Sequence, residues 1–212
     1  MAILYVETNL PIMIAEGQDR RADDLLADIP EHARLVIPSL CFMESLSVIE
    51  FKLRRFQEDD TRLLDRLIDD ATRDETSAFA GDFAKHLQAA KVAGVDRIND
   101  VKVRLFSTLK NLAVIAEAIP FSPMALEETL DLSLMNAPTD QFILASILEH
   151  SAAFPNVPKG FLTGDKHFDQ DAVRERLRVA DIKFFRDATS ARGWLRSHRP
   201  TEPGEPAAIL PA

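Results

Sequence analysis

Five short apolar runs separated by helical patterns constrain this chain more than any other feature. Ala2 to Val6, Arg34 to Ile37, Ala118 to Phe121, the run ending in Phe161-Leu162, and Ile182 to Phe185 read as strands. Runs such as Leu35-Val36-Ile37 carry no polar alternation, as in strands buried on both faces. Strands that alternate with helices build a parallel sheet wrapped on both sides. The expected fold is therefore α/β, a three-layer α/β/α sandwich around a short central parallel sheet.

Between the strands, a short helix begins at Asn9, a second covers Asp19 to Ile29, and a long one runs from about Leu40 to Phe56. On the long helix, Phe42, Leu46, Ile49, Leu53 and Phe56 form one stripe at helical spacing. Leu40, Val48 and Phe51 lie opposite, so the helix is expected to be buried on two sides. Residues 58–118 are helical in pattern and lack proline, with Gly81 and Gly94 their only glycines. Two or three helices are expected there, as an insertion over about 57–118. Helices over Met124 to Leu134, Asp140 to Ser151, Asp171 to Val179 and Ser190 to Ser197 complete the pattern. From Arg199 the run Pro-Thr-Glu-Pro-Gly-Glu-Pro reads as a disordered tail over 199–212, leaving 1–198 as one domain.

The 212 residues and 46% hydrophobic content suffice for a single core. Met1 to Val6 lacks a basic leader and is broken by Glu7, so it reads as a first strand rather than a signal peptide. With one cysteine, Cys41, no intrachain disulfide is possible. No apolar run reaches the ~18 residues of a membrane span. The expected location is cytoplasmic. A net charge of −9 disfavours a protein that coats nucleic acid. It leaves room for a metal-dependent nuclease, in which acids hold cations that meet the phosphate.

Four acids are placed for one edge of the sheet. Glu7 directly follows the first strand, and Asp165 follows the fourth after a small polar turn. In a parallel sheet both lie at the carboxyl edge, where open α/β folds bind ligands. Glu44 is one turn into the helix after the second strand, within the stripe of Leu40, Val48 and Phe51. A carboxylate there costs several kcal/mol unless paired or metal-bound. Asp140 heads a helix whose inner face is Ile143, Leu144, Ile147 and Leu148, with Thr139 free to serve as its cap. Each acid has a plain reading of its own: a satisfied buried glutamate, a dipole-favoured helix start, a turn residue, a strand-end acid. Taken together they suit a hard cation such as Mg²⁺ or Mn²⁺, since clustered carboxylates otherwise have to be protonated.

These residues resemble the PIN-domain family of metal-dependent ribonucleases. The matching pieces are Tyr5-Val6-Glu7-Thr8-Asn9, Ile37-Pro38-Ser39 leading to Glu44, Asp140 heading Gln-Phe-Ile-Leu-Ala-Ser, and Phe161-Leu162-Thr163-Gly164-Asp165-Lys166-His167-Phe168. They occur in the family's order over about residues 1–55 and 119–190. The resemblance implies a Mg²⁺ or Mn²⁺ pocket built from Glu7, Glu44, Asp140 and Asp165. It also implies hydrolysis of RNA phosphodiesters by a metal-activated water, with Asn9 and Thr163 in support. For toxin-type members it implies an antitoxin partner, and the insertion is a candidate for RNA binding or homodimer formation. Two departures stand out. The family usually has Asp where this chain has Glu7, and the segment from Glu58 to Ala118 is longer than in compact toxin-type members.

A rival reading is a PIN-fold RNA- or protein-binding scaffold with weak or no catalysis. A phosphate-accepting receiver domain expects adjacent acids near the first strand, and Glu7 has no such neighbour. Lys52, Arg54, Arg55, Lys102, Arg104 and Lys110 are candidate phosphate contacts or ordinary solvated charge. Asp169 and Asp171 read as helix-start acids or outer acids of the pocket, His167 as an incidental turn residue or a catalytic one, and Cys41 as core.

Overall fold

All five residues of β1 (Ala2–Val6) are buried, as only a central strand covered on both faces allows. In the computed structural model, which describes residues 1–131 and 134–198, β1 pairs in parallel with β2 (Ala33–Pro38) on one side and β4 (Lys159–Leu162) on the other. β3 (Glu117–Ile119) extends the sheet beyond β2, and β5 (Ile182–Phe185) extends it beyond β4. The order is β3-β2-β1-β4-β5, all parallel. The winding reverses between β1 and β4, which makes their carboxyl ends the topological switch point of the sheet.

Helices cover both faces. Alternation along β1 sends Ile3 and Tyr5 to one face and Leu4 to the other. On the first face, the Tyr5 hydroxyl is hydrogen-bonded to His150 of α7 (Pro138–Ala152) at 2.9 Å. Beside it, Arg174 of α8 (Asp171–Val179) lies over the Phe184 ring. On the second face, Trp194 of α9 (Ala188–Ser197) packs on Phe185. Gly160 makes that approach possible: a Cβ there would lie 2.8 Å from Phe185 and 3.0 Å from Trp194. α2 (Arg20–Ala27) lies against α9, and its first turn is capped by Asp19, which accepts from the Arg21 amide.

The segment expected as an insertion of two or three helices is built differently. α3 (Leu40–Arg55) runs through a π-helical turn, Phe56–Asp60, into α4 (Thr61–Arg73). A single 36-residue helix, α5 (Ala80–Ile115), follows. Gly94 does not break it. A Cβ at Gly94 would collide with the Phe56 ring, so the glycine admits that ring against the helix. α4 packs along α5. Further on, Val101, Leu105 and Leu109 bury with Ile49 of α3 and Ala15 of α1 (Asn9–Glu16), and Leu112 enters the main core. The last third of α5 thus belongs to the body of the fold.

Three further expectations are corrected. The second stripe of α3 is covered only at its start: Leu40 packs against Ala125, Phe142 and Ala145, Glu44 and Val48 are half-buried, and Phe51 is 64% exposed. α7 starts at Pro138, with Ala137 in the cap position, so Thr139 lies inside the first turn and caps nothing. Proline is favoured at that first position because its missing N–H has no partner there in any case. β3 ends at Ile119, one residue before Pro120, and α6 covers Pro123–Asp131. The tail expected over 199–212 lies outside the described residues. Among the described residues no helix is long and apolar enough to cross a membrane.

Candidate functional site

The switch point gathers the four acids. Glu7 leaves the end of β1 and Asp165 follows the end of β4, the two strands between which the winding reverses. Glu44 comes from the second turn of α3, after β2, and Asp140 from the first turn of α7, whose N-terminus lies at the same edge. Four separate elements therefore contribute one carboxylate each.

Glu7 is the deepest, with only 3% of its surface exposed. The chain turns into α1 immediately after it, so the Asn9 amide donates to Oε2 at 2.6 Å. The other oxygen, Oε1, is buried with no hydrogen-bond partner. Burial pushes the Glu7 carboxyl up to about 8. The Asn9 amide and Thr163 hydroxyl oppose that rise, and the charges of Asp165 and Glu44 add to it. Thr8 donates its hydroxyl to Glu44 Oε2. Glu44 is also raised, first by burial and then by the charges of Asp140 and Asp165, with the Thr8 bond opposing.

Asp140 is 9% exposed, and burial raises its carboxyl, with the Asp165 charge acting in the same direction. His167 opposes this: its Nδ1 lies 3.1 Å from Asp140 Oδ2 and 3.7 Å from Asp165 Oδ1. Asp165 is fixed through its turn. Its own amide donates to Thr163 Oγ1 at 2.9 Å, and its Oδ1 accepts from the His167 amide at 2.8 Å. The repulsions run between Glu7 and Asp165, Glu7 and Glu44, Glu44 and Asp140, Glu44 and Asp165, and Asp140 and Asp165, so the four carboxylates form one electrostatic unit.

Among the described residues, Asp140, Asp165 and His167 bring ligand atoms within 4.8 Å of one another, whereas Glu7 and Glu44 lie outside that group and are joined to it through charge. The acids at this edge suit a hard divalent cation. They offer carboxylate oxygens, their mutual repulsion favours a cation among them, and the buried Glu7 Oε1 is unsatisfied without one. The Asn9 side-chain oxygen, Oδ1, is likewise buried without a partner. Gly164 lets the β4 loop pass close to it, since a Cβ there would lie 3.0 Å from Asn9 Oδ1 and 3.1 Å from Met13 Sδ.

Several charged side chains take the plainer of the roles open to them. Asp169 is held by Arg174 and Arg186, which makes it the centre of an ion-pair cluster rather than an outer acid of the pocket. Lys52 pairs with Glu16, and Arg104 pairs with Asp100 at 2.9 Å. Two residues take a larger part in this cluster than their spacing alone suggests. His167 is not incidental, because it touches two of the acids. Thr8 fits the family motif by position alone, and its hydroxyl ties β1 to α3. The spacing of His167, two residues beyond Asp165 in a tight turn, was the available clue. Cys41 is fully buried, with its thiol pushed up by burial.

No family model matches the chain, and neither a curated protein nor a solved structure matches it.

Proposed function

We propose that this chain is a PIN-type, metal-dependent endoribonuclease in which Glu7, Glu44, Asp140 and Asp165 hold Mg²⁺ or Mn²⁺. The observation that carries the reading is the convergence of four carboxylates from four elements on the switch point, with a buried Glu7 oxygen left unpartnered. The fold places them where α/β sheets bind ligands. When bound, the cation supplies a water activated at neutral pH and a counter-charge for the leaving oxygen of a phosphodiester.

The chain's own groups hold and orient. The Asn9 amide fixes one oxygen of Glu7 and leaves the other free for a ligand. Thr8 sets the direction of Glu44, and the His167 amide sets that of Asp165. Such supporting bonds fix the orientation of ligating carboxylates. The RNA phosphate meets the cation rather than a basic surface, in keeping with the net charge of −9.

The test is cleavage of a mixed RNA pool with Mn²⁺ or Mg²⁺ against EDTA. Metal-dependent cutting that disappears in Asp140→Asn supports the proposal. The buried Glu7, one methylene longer than aspartate, favours the scaffold reading as the alternative. Cutting by Glu7→Asp but not by the natural chain would select a nuclease fold tuned down at that position. No cutting by either would select the scaffold.

A further inference from the structure

The acidic site contains one nitrogen donor. The His167 amide is bonded to Asp165 Oδ1, and this folds the turn so that the imidazole reaches back over the carboxylates. Its Nδ1 faces both Asp140 and Asp165. One ligand atom from each of Asp140, Asp165 and His167 lies within 4.8 Å of the others, close enough to converge on one ion. A second observation comes from deeper in the same group. Glu7 Oε1 is buried without a partner, near enough to Asp165 for that charge to act on Glu7.

The identity of the donor decides which cation is favoured. Carboxylate, carbonyl and water suit Mg²⁺ and Mn²⁺ alike, whereas imidazole adds affinity for first-row transition ions and little for Mg²⁺. A site of four carboxylates alone has little basis for choosing between the two. One imidazole shifts the balance without altering the oxygen ligands.

We propose that His167 is a nitrogen ligand beside Asp140 and Asp165, and that it makes the site selective for Mn²⁺ over Mg²⁺. This rests on the reading of the acidic site as a cation site. The competing role for His167 is positional: a ring N–H that donates to Asp140 and never meets the ion.

Pulsed electron paramagnetic resonance of the Mn²⁺ complex separates the two roles, because a directly bound imidazole gives a ¹⁴N coupling and a donor to a ligand carboxylate does not give one of that size. The wild-type complex is expected to show this coupling and His167→Ala to lose it. In calorimetric titration, His167→Ala is expected to weaken Mn²⁺ binding about tenfold or more while Mg²⁺ binding changes less than about threefold. The His167 side chain is 59% exposed, so the variant keeps its fold, which circular dichroism checks. Bound Mn²⁺ without nitrogen coupling, or equal weakening for both ions, would overturn the His167 assignment and leave the acidic site standing. No binding of either ion by the wild type, or binding unchanged in Asp140→Asn, would overturn the acidic-site reading and this proposal with it.

Discussion

Thr8 donates its hydroxyl to the Glu44 carboxylate, and this bond joins the end of β1 to the second turn of α3. It supports a ligand candidate through a residue that is 7% exposed. Thr8→Val keeps the shape and removes the donor. Calorimetric titration with Mn²⁺ should then show an affinity about tenfold lower, the usual scale for loss of an outer hydrogen bond at a metal site. Thr8→Ser should restore most of it.

Glu7 makes the metal-free protein pH-sensitive. Its folded value of about 8 stands above the ordinary 4.5 of an unfolded glutamate. The folded state therefore binds more protons between these values. Glu7 exacts no penalty below about 4.5, and stability is lost as pH rises toward 8. Glu44 and Asp140 are raised and act in the same direction. In EDTA, urea unfolding should give a wild-type stability lower at pH 8 than at pH 5, by on the order of a few kcal/mol. Glu7→Gln should flatten much of that slope. A wild type equally stable at both values would show that Glu7 is not held as described.

Asp169 separates structure from site. It is held by two arginines and is not among the charges that act on Glu7, Glu44 or Asp140. Asp169→Ala should lower stability by about 1 kcal/mol and leave Mn²⁺ affinity unchanged. Thermal unfolding and a Mn²⁺ titration on the same sample check both halves.

Gly160 tests the packing behind the switch point. A methyl group there would press on Phe185, Trp194 and Leu4, which lies 3.3 Å from the added Cβ. Gly160→Ala should cost about 1–3 kcal/mol by overpacking, read from denaturant midpoints. Trp194 is the only tryptophan, so its fluorescence reports the same disturbance directly.

The strands and their carboxyl ends were legible because a buried parallel strand is written as an unbroken apolar run. Glu7 follows such a run directly and Asp165 after only Thr163 and Gly164, so their edge could be read without side-chain geometry. The Thr8–Glu44 bond and the reach of His167 depend on side-chain direction across separate elements, which spacing does not encode. Periodicity gave two apolar faces to α3 but not how far each is covered, and Phe51 shows that part of an apolar stripe can remain in water. The place of Gly94 inside one continuous helix was not legible because its partner, the Phe56 ring, is remote in sequence.

The most direct test of the central claim is a Mn²⁺ titration of the wild type and of Glu7→Gln, Glu44→Gln, Asp140→Asn and Asp165→Asn, each checked for folding by circular dichroism. If the four carboxylates share one cation site, the wild type binds Mn²⁺, EDTA reverses the binding, and every variant weakens it. A wild type that binds no Mn²⁺, or folded variants that all bind it as tightly as the wild type, would contradict a shared cation site at this sheet edge.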